Sequence, residues 1–369
     1  MQSLRIIQRF FGALIVLGAV CATGASAKEA AHDYRDINFD YFVSGDPALP
    51  RAAQTQFGLA LMGGGGTVDA AFAFIASHAG GGHIVILRAV SDNSFDPDDG
   101  NYGKSFVKKW GPVASAETIV FHNRAAASDA RVIAALKNAD GIFLAGGDQA
   151  NYIRYWKGTP VQELLNEHVR ANRPIGGSSA GLAVLGHYSY TAFDGGSMES
   201  KVALADPFDH GVTLESDFLR YRWLDDVITD THFSARHRLG RLIAFIARLN
   251  RDEAANNGDS NRIYGVGVDE HTALLIDAKG MARVAAGSAG SVWFVLQTEP
   301  PSLLRRGSAL SVERLRLVRL GIAGTFDFAA RSAAGAAADA TISLKAGKPT
   351  APSIASPILL REKAPEGEG

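Results

Sequence analysis

The stretch Pro174-Ile175-Gly176-Gly177-Ser178-Ser179-Ala180-Gly181-Leu182-Ala183-Val184-Leu185 decides the fold. An apolar segment runs into a glycine-rich corner and leaves it as a second apolar segment, the pattern of a strand turning sharply into a helix. Outward from this corner the same alternation repeats. Residues 57–62 are an apolar run that ends in Gly63-Gly64-Gly65-Gly66. Thr67 is placed to cap a helix on which Val68, Ala71, Phe72 and Ile75 share helical spacing. Further apolar runs lie at 84–87 and 118–121, a helical stretch at 130–137 leads into 141–145, and another at 161–169 leads into Pro174. Strands that read as unbroken apolar runs between helices are buried on both faces. The expected fold class is therefore α/β, with a mostly parallel, doubly wound sheet whose loops collect at its carboxyl edge. From about Arg262 the spacing tightens into strand candidates at 263–268, 272–276, 282–286 and 291–296, with Asp277-Ala278-Lys279-Gly280 as a turn. These added C-terminal strands either extend the main sheet or form a small β layer.

The chain has 369 residues, 47% apolar and 20% charged, which suffices for a large core and excludes disordered, collagen-like and coiled-coil classes. Its 40 glycines exceed the average of about 7% and fit many tight corners. A formal net charge of −1 excludes a general polyanion binder, so nucleic acid is not an expected partner. Arg5 and Arg9 precede an apolar run over 10–20, and Ala25-Ser26-Ala27 offers small residues for cleavage. This reads as a signal peptide over 1–27, because the run is shorter than the ~20 apolar residues of a membrane span. The expected localisation is secreted or periplasmic, with no membrane contact after cleavage; a lipoprotein through Cys21 is the lesser alternative, since Val20 precedes it. Losing Arg5 and Arg9 with the leader takes the net charge from −1 to −3, and losing Cys21 removes the only cysteine. That excludes disulfides, thiol nucleophiles and cysteine metal sites. Residues 28–328 are expected to form the folded domain, and the Ala/Gly/Pro-rich residues 329–369 a loosely ordered tail.

Gly177-Ser178-Ser179-Ala180-Gly181 fits the G-x-S-x-G nucleophile elbow in its required strand-to-helix setting. A sharp turn there lifts Ser179 off the sheet, and the following helix N-terminus directs amides, that of Ala180 first, at the same point. Two readings stand: a nucleophile, or a glycine-rich turn with an idle serine. Among ten histidines, His232 follows the apolar Val227 and Ile228 and opens a segment with Arg236, Arg238 and Arg241. Residues 220–251 hold seven arginines against three acids, which suggests either a solvated face or a carboxylate-binding pocket beside a histidine. Leu239, Leu242, Ile243 and Ile246 mark a helix with one buried face, and Arg238 and Arg241 share one side of it. Gly146-Gly147-Asp148-Gln149 follows another strand, where a Gly-Gly turn can aim an amide and Gln149 can donate to a carbonyl. Gly63 to Gly66 lacks the lysine of a phosphate loop, so no nucleotide cofactor is expected. Asp230, His232 and His237 lack the spacing of a metal site, and no metal is expected.

Together these segments resemble the cyanophycinase and dipeptidase E family of serine peptidases. The resemblance rests on Gly146-Gly147-Asp148-Gln149, Ser179-Ala180-Gly181, Asp-x-His-Phe-x-x-Arg-x-Arg-x-x-Arg from Asp230 to Arg241, and Gly265-Val266-Gly267-Val268-Asp269-Glu270-His271-Thr272-Ala273. It implies a fold like class I glutamine amidotransferases, with Ser179 as nucleophile, His232 as base and Glu270 orienting it. It further implies an oxyanion hole from the Gly147 and Ala180 amides, and substrate contacts from Gln149, Asp230, Arg236, Arg238 and Arg241. The implied substrate is cyanophycin, a polyaspartate carrying arginine on its side chains, cut into β-Asp-Arg dipeptides without a cofactor. Thr231 stands where the family usually has glutamine, and Leu87-Arg88-Ala89-Val90-Ser91 only loosely resembles its Thr-Ala-Ser segment. Other aspartyl or isoaspartyl peptides, a catalytically silent periplasmic peptide-binding protein, and a homodimer stay open.

Overall fold

A computed structural model describes residues 33–90, 99–257, 262–287 and 290–351. The signal-peptide reading over 1–27 lies outside them. The first strands in chain order are β1 (Tyr34–Arg35), β2 (Phe39–Gly45), β3 (Gly58–Met62), β4 (His83–Ala89), β5 (Ser115–Phe121), β6 (Gly141–Leu144) and β7 (Ile175–Ser178). The short pair β8 (Ser189–Tyr190) and β9 (Leu214–Glu215) precedes β10 (Val227–Asp230), β11 (Tyr264–Val268), β12 (Thr272–Asp277), β13 (Met281–Ala286) and β14 (Val292–Gln297). The last are β15 (Val312–Leu320), β16 (Thr325–Asp327), β17 (Ser332–Ala334), β18 (Ala338–Lys345) and β19 (Lys348–Pro349).

Eleven of these form one sheet, in the order β1-β2-β5-β4-β6-β7-β3-β12-β13-β16-β17. Its centre, β5-β4-β6-β7-β3, is parallel, and antiparallel strands extend it on both sides. Helices cover both faces, and the strand sequences show why. In β4, Val85 and Leu87 point to the side of α3 (Ala130–Asn138), α4 (Gln149–Trp156) and α5 (Pro160–Arg170), while Ile84 and Ile86 point to the side of α1 (Asp69–His78) and of Phe106, which directly follows α2 (Asp99–Ser105). Because both faces are buried, no polar residue interrupts the run. The expected α/β, doubly wound sheet is thus the observed architecture, parallel through its central five strands and antiparallel toward both edges. At the start of α1 the cap position falls to Val68 and has no side-chain hydrogen bond, so Thr67 does not cap it.

The C-terminal strands do both things the sequence allowed. β12, β13, β16 and β17 lengthen the main sheet, whereas β11, β14, β15, β18 and β19 join β10 in a second, six-stranded sheet. Alternate residues separate its two faces: Phe294 joins the main core, and Trp293 and Val295 pack with Leu242 and Ile246 of the long helix α8 (Leu239–Asn257). The expected loose tail from 329 is corrected over its described part. β17 and β18 are strands, and β18 pairs with β15 while burying Ile342 and Leu344. Its alanine-rich composition conceals a period of two, with an apolar residue inward at every second position. Residues 352–369 lie outside the described residues.

β3, β6 and β7 of the main sheet and β10 and β11 of the second all end at the loops that carry the sequence-selected residues. The site therefore sits where the carboxyl ends of two sheets meet.

Candidate active site

Ser179 caps the short helix α6 (Ala180–Ala183) directly after β7, with φ +53° and ψ −119°. Such a conformation is uncommon for a residue with a side chain and costs on the order of 1–3 kcal/mol, so its surroundings must impose it. The Ser179 amide donates to the Met62 carbonyl at 3.1 Å, and its carbonyl accepts from Ala183 at 2.9 Å. Gly181 permits the fold-back, since a Cβ there would lie 2.1 Å from the Leu144 carbonyl oxygen. The turn leaves the serine side chain facing out of the sheet edge.

His232 follows β10 after one residue and also has positive φ, +46°. Its amide donates to Gly63 O at 2.8 Å, and its carbonyl accepts from the Arg236 amide at 3.0 Å. Its Nε2 lies 2.8 Å from Ser179 Oγ, and its Nδ1 lies 2.6 Å from Glu270 Oε1. Three residues 53 and 38 positions apart along the chain thus form one hydrogen-bonded line. The His232 side chain is 9% exposed and Glu270 33%. Burial pulls the imidazole pKa below its ordinary value; Arg236 and Arg238 act in the same direction, and together they outweigh the Glu270 hydrogen bond. The ring is therefore neutral at neutral pH, with Glu270 fixing Nδ1 as the protonated nitrogen and leaving Nε2 to accept. Asp269 braces the corner next to Glu270, accepting from the Ser234 amide at 2.9 Å and the Ser291 amide at 3.0 Å.

The Gly146–Gly147 turn lies beside the serine: a Cβ on Gly146 would be 3.7 Å from Ser179 Cβ. The Tyr152 hydroxyl holds this turn by donating to the Ala145 and Gly146 carbonyls at 2.6 and 3.1 Å. Asp148 accepts from the Ala150 amide at 2.9 Å and so caps α4, which Gln149 opens. Gly147 is exposed and Gln149 half-buried.

One essential part was not singled out from the sequence. Gly63 to Gly66, set aside as a failed phosphate loop, passes directly over the three residues. The Gly64 carbonyl accepts from His271 N at 2.8 Å, which ties the loop to the Glu270 corner. At Gly64 φ is +94°, and a Cβ would stand 2.6 Å from the His232 ring and 3.2 Å from Ser179 Cβ. Gly64→Ala is expected to displace the imidazole and cut turnover by about 10²-fold, because a misplacement of about 1 Å carries that cost. Steady-state kinetics on a variant with parental circular dichroism checks it, and an unchanged kcat would contradict it.

The arginine cluster is buried and paired within the chain. Asp230, Arg238 and Arg241 were expected to contact substrate, but Arg241 is 2% exposed and Arg238 7%. Arg241 grips Asp230 with two hydrogen bonds, Nε to Oδ2 at 2.8 Å and Nη2 to Oδ1 at 2.5 Å. Arg238 Nη1 donates to the Thr231 carbonyl and hydroxyl at 2.9 and 3.0 Å. Burial alone would push the Asp230 carboxyl up, but Arg241 and then Arg238 hold it below the ordinary range. The guanidinium partner of Asp230 is thus Arg241 of the same chain. Of the expected substrate contacts, Arg236 is exposed and Gln149 half-buried, so these two remain open to a ligand. The same pairing removes Asp230 from any metal-ligating trio with His232 and His237, and among the described residues no His/Cys/Asp/Glu group suited to a metal exists.

The family model for peptidase family S51 matches residues 93–205, a span that contains Gly147, Gln149, Ser179 and Ala180 but ends before His232 and Glu270. The chain is 32% identical over 184 residues to a cyanophycinase of Trichormus variabilis, covering 50% of this chain and 54% of that protein. It is 31% identical over 206 residues to a cyanophycinase of Thermosynechococcus vestitus, covering 55% and 57%. The chain thus spans about half the length of the curated relatives it matches. Among solved structures, a peptidase from an acI-B1 Actinobacterium aligns with a TM-score of 0.42 at 14% identity, covering 79% of this chain and 98% of that one. A candidate peptidase E protein from Listeria monocytogenes EGD-e aligns with a TM-score of 0.39 at 18% identity, covering 63% and 100%. The chain is thus similar to peptidase family S51 over residues 93–205 and to cyanophycinases over about half its length.

Proposed function

We propose that the protein is an exported serine exopeptidase that hydrolyses cyanophycin to β-Asp-Arg dipeptides through Ser179, His232 and Glu270. The observation that carries this reading is the hydrogen-bonded line from Ser179 Oγ through His232 to Glu270, at 2.8 and 2.6 Å. In the proposed reaction Ser179 Oγ attacks the peptide carbonyl carbon while His232 Nε2 takes its proton, and Glu270 stabilises the resulting imidazolium. The carbonyl oxygen takes up negative charge against the Gly147 and Ala180 amides. The C–N bond then breaks, the leaving amine receives the proton from His232, and water releases the acyl group by the same steps.

The lowered histidine pKa gives this mechanism a pH signature. Only neutral His232 can accept the serine proton, so activity falls as pH drops through its pKa in the folded protein. Because burial lowers that pKa, the acid limb of kcat/KM is expected below the ordinary histidine value of about 6.5. A limb centred above that value would contradict the assignment.

The substrate rests on the similarity to cyanophycinases and on the exposed Arg236 near the base, which suits a carboxylate-rich chain. A second reading, cleavage of other aspartyl or isoaspartyl peptides, is favoured by one observation: Asp230 is occupied by Arg241 and has no free oxygen pair for a substrate guanidinium. Mass spectrometry of insoluble cyanophycin incubated with the protein decides between them. Release of β-Asp-Arg supports the polymer; no release, with cleavage in an aspartyl-peptide panel, selects the second reading. Export is checked by the N-terminus of the protein recovered outside the cytoplasm, expected at Lys28.

A further inference from the structure

Ser197 belongs to the connection between β8 and α7 (Ser200–Ala205), directly after Gly195 and Gly196, whose positive φ values of +75° and +93° form an open turn. Its hydroxyl oxygen accepts from two guanidinium groups at once, Arg238 Nη2 at 3.1 Å and Arg241 Nη1 at 2.8 Å. Those groups are both buried and share a single carboxylate, Asp230, so they repel each other. An oxygen between them offsets part of that repulsion and fixes their spacing. Arg241 is already anchored on Asp230 and stacked against Tyr190, with its guanidinium carbon 5.0 Å from the ring centre. Arg238 is not anchored in that way. It has one long contact with Asp230, Nη1 to Oδ1 at 3.5 Å, and is otherwise held by Ser197 at one end and by Thr231 at the other.

Thr231 immediately precedes His232. The Arg238 hydrogen bond to the Thr231 carbonyl therefore acts on the peptide unit that leads into the strained φ +46° of the histidine. A conformation of that kind persists only where several contacts over-determine it. The other end of the Ser197 connection is also fastened, since Arg154 of α4 donates to the Phe193 carbonyl at 2.9 Å and lies over its ring. The Ser197 hydroxyl is thus presented from a turn held at both ends. We infer that Ser197 is a positioning residue for His232: through Arg238 it fixes Thr231 and with it the backbone that aims the imidazole at Ser179. The inference rests on the reading of Ser179 and His232 as nucleophile and base. It also gives Thr231 a role in this chain, as the acceptor that receives Arg238.

The test uses the full chain and diisopropyl fluorophosphate, which needs no peptide substrate. Ser179 Oγ bonds to phosphorus, fluoride leaves, and the serine proton passes to His232. Inactivation kinetics are measured for the parent, Ser197→Ala, Ser197→Thr and, as the blank, Ser179→Ala. In Ser197→Ala the maximal inactivation rate is expected to fall about tenfold with the reagent's binding constant within about twofold, and Ser197→Thr, which keeps the hydroxyl on an exposed turn, is expected to recover to within about threefold of the parent. A parental rate in Ser197→Ala, even with a lowered melting temperature, overturns the inference and leaves the serine mechanism standing. A loss confined to the binding constant, or a Ser197→Thr variant as slow as Ser197→Ala, overturns it as well. A parent that does not react at Ser179 removes the nucleophile reading and this inference with it.

Discussion

Ser179→Ala is expected to lower peptide hydrolysis by on the order of 10⁴-fold or more while the protein keeps its fold, since the members of such a catalytic unit fail together. The side chain removed is one hydroxyl, whose partner is the His232 ring at 2.8 Å. The strained backbone at Ser179 is held by main-chain bonds to Met62 and Ala183, and alanine retains both. His232 keeps its bond to Glu270, so the imidazole stays in place without a hydroxyl to deprotonate. Product release measured by mass spectrometry should therefore vanish, while the melting temperature and substrate binding stay near the parent. Retained hydrolysis would exclude Ser179 as nucleophile. If the parent and the variant both bind peptide and neither cleaves it, the silent binding-protein reading is correct instead.

What the sequence disclosed about this site follows from how far each feature extends along the chain. The elbow was legible because its strand, corner and helix are contiguous between Ile175 and Ala183. The α/β class was legible for the same reason, as each buried strand states its two-sided burial in its own residues. His232 and Glu270 lie 53 and 38 positions from their partners, and no local pattern joins them; only the family resemblance did. The arginines show the opposite failure. Helical spacing correctly put Arg238 and Arg241 on one side, but spacing gives direction and not burial. Asp230 and Arg241 are eleven residues apart, and their pairing depends on how β10 meets α8. Gly64 was passed over because its requirement comes from the His232 ring that packs on it. The strands β17 to β19 were hidden by an alanine- and glycine-rich composition that masked alternation.

The buried location of Asp230 leads to a second large effect. Asp230→Ala is expected to destabilise the protein by about 3–5 kcal/mol, the usual cost of leaving a buried charge without its partner. Asp230 is 3% exposed and is the carboxylate on which both Arg241 and Arg238 depend. Its loss leaves two guanidinium groups close together, received among the described residues by Ser197, Thr231 and the Met198 carbonyl. In a domain of this size the melting temperature should fall by on the order of 10 °C. The pH dependence has a definite sign. The folded carboxyl pKa is held below its ordinary value, chiefly by Arg241 once burial is overcome, so its stabilisation is present above the ordinary aspartate range near 3.9 and is lost as pH falls through the lower folded value. The parent should therefore lose stability on acidification through that window, and the variant should lose less. A substrate contact behaves otherwise: Asp230→Ala would then raise KM and leave the melting temperature unchanged. Replacing Asp230 and Arg241 together by leucine separates the two cases further. If the pair is structural, the double variant should be more stable than Asp230→Ala alone, because no buried charge is left facing an absent partner.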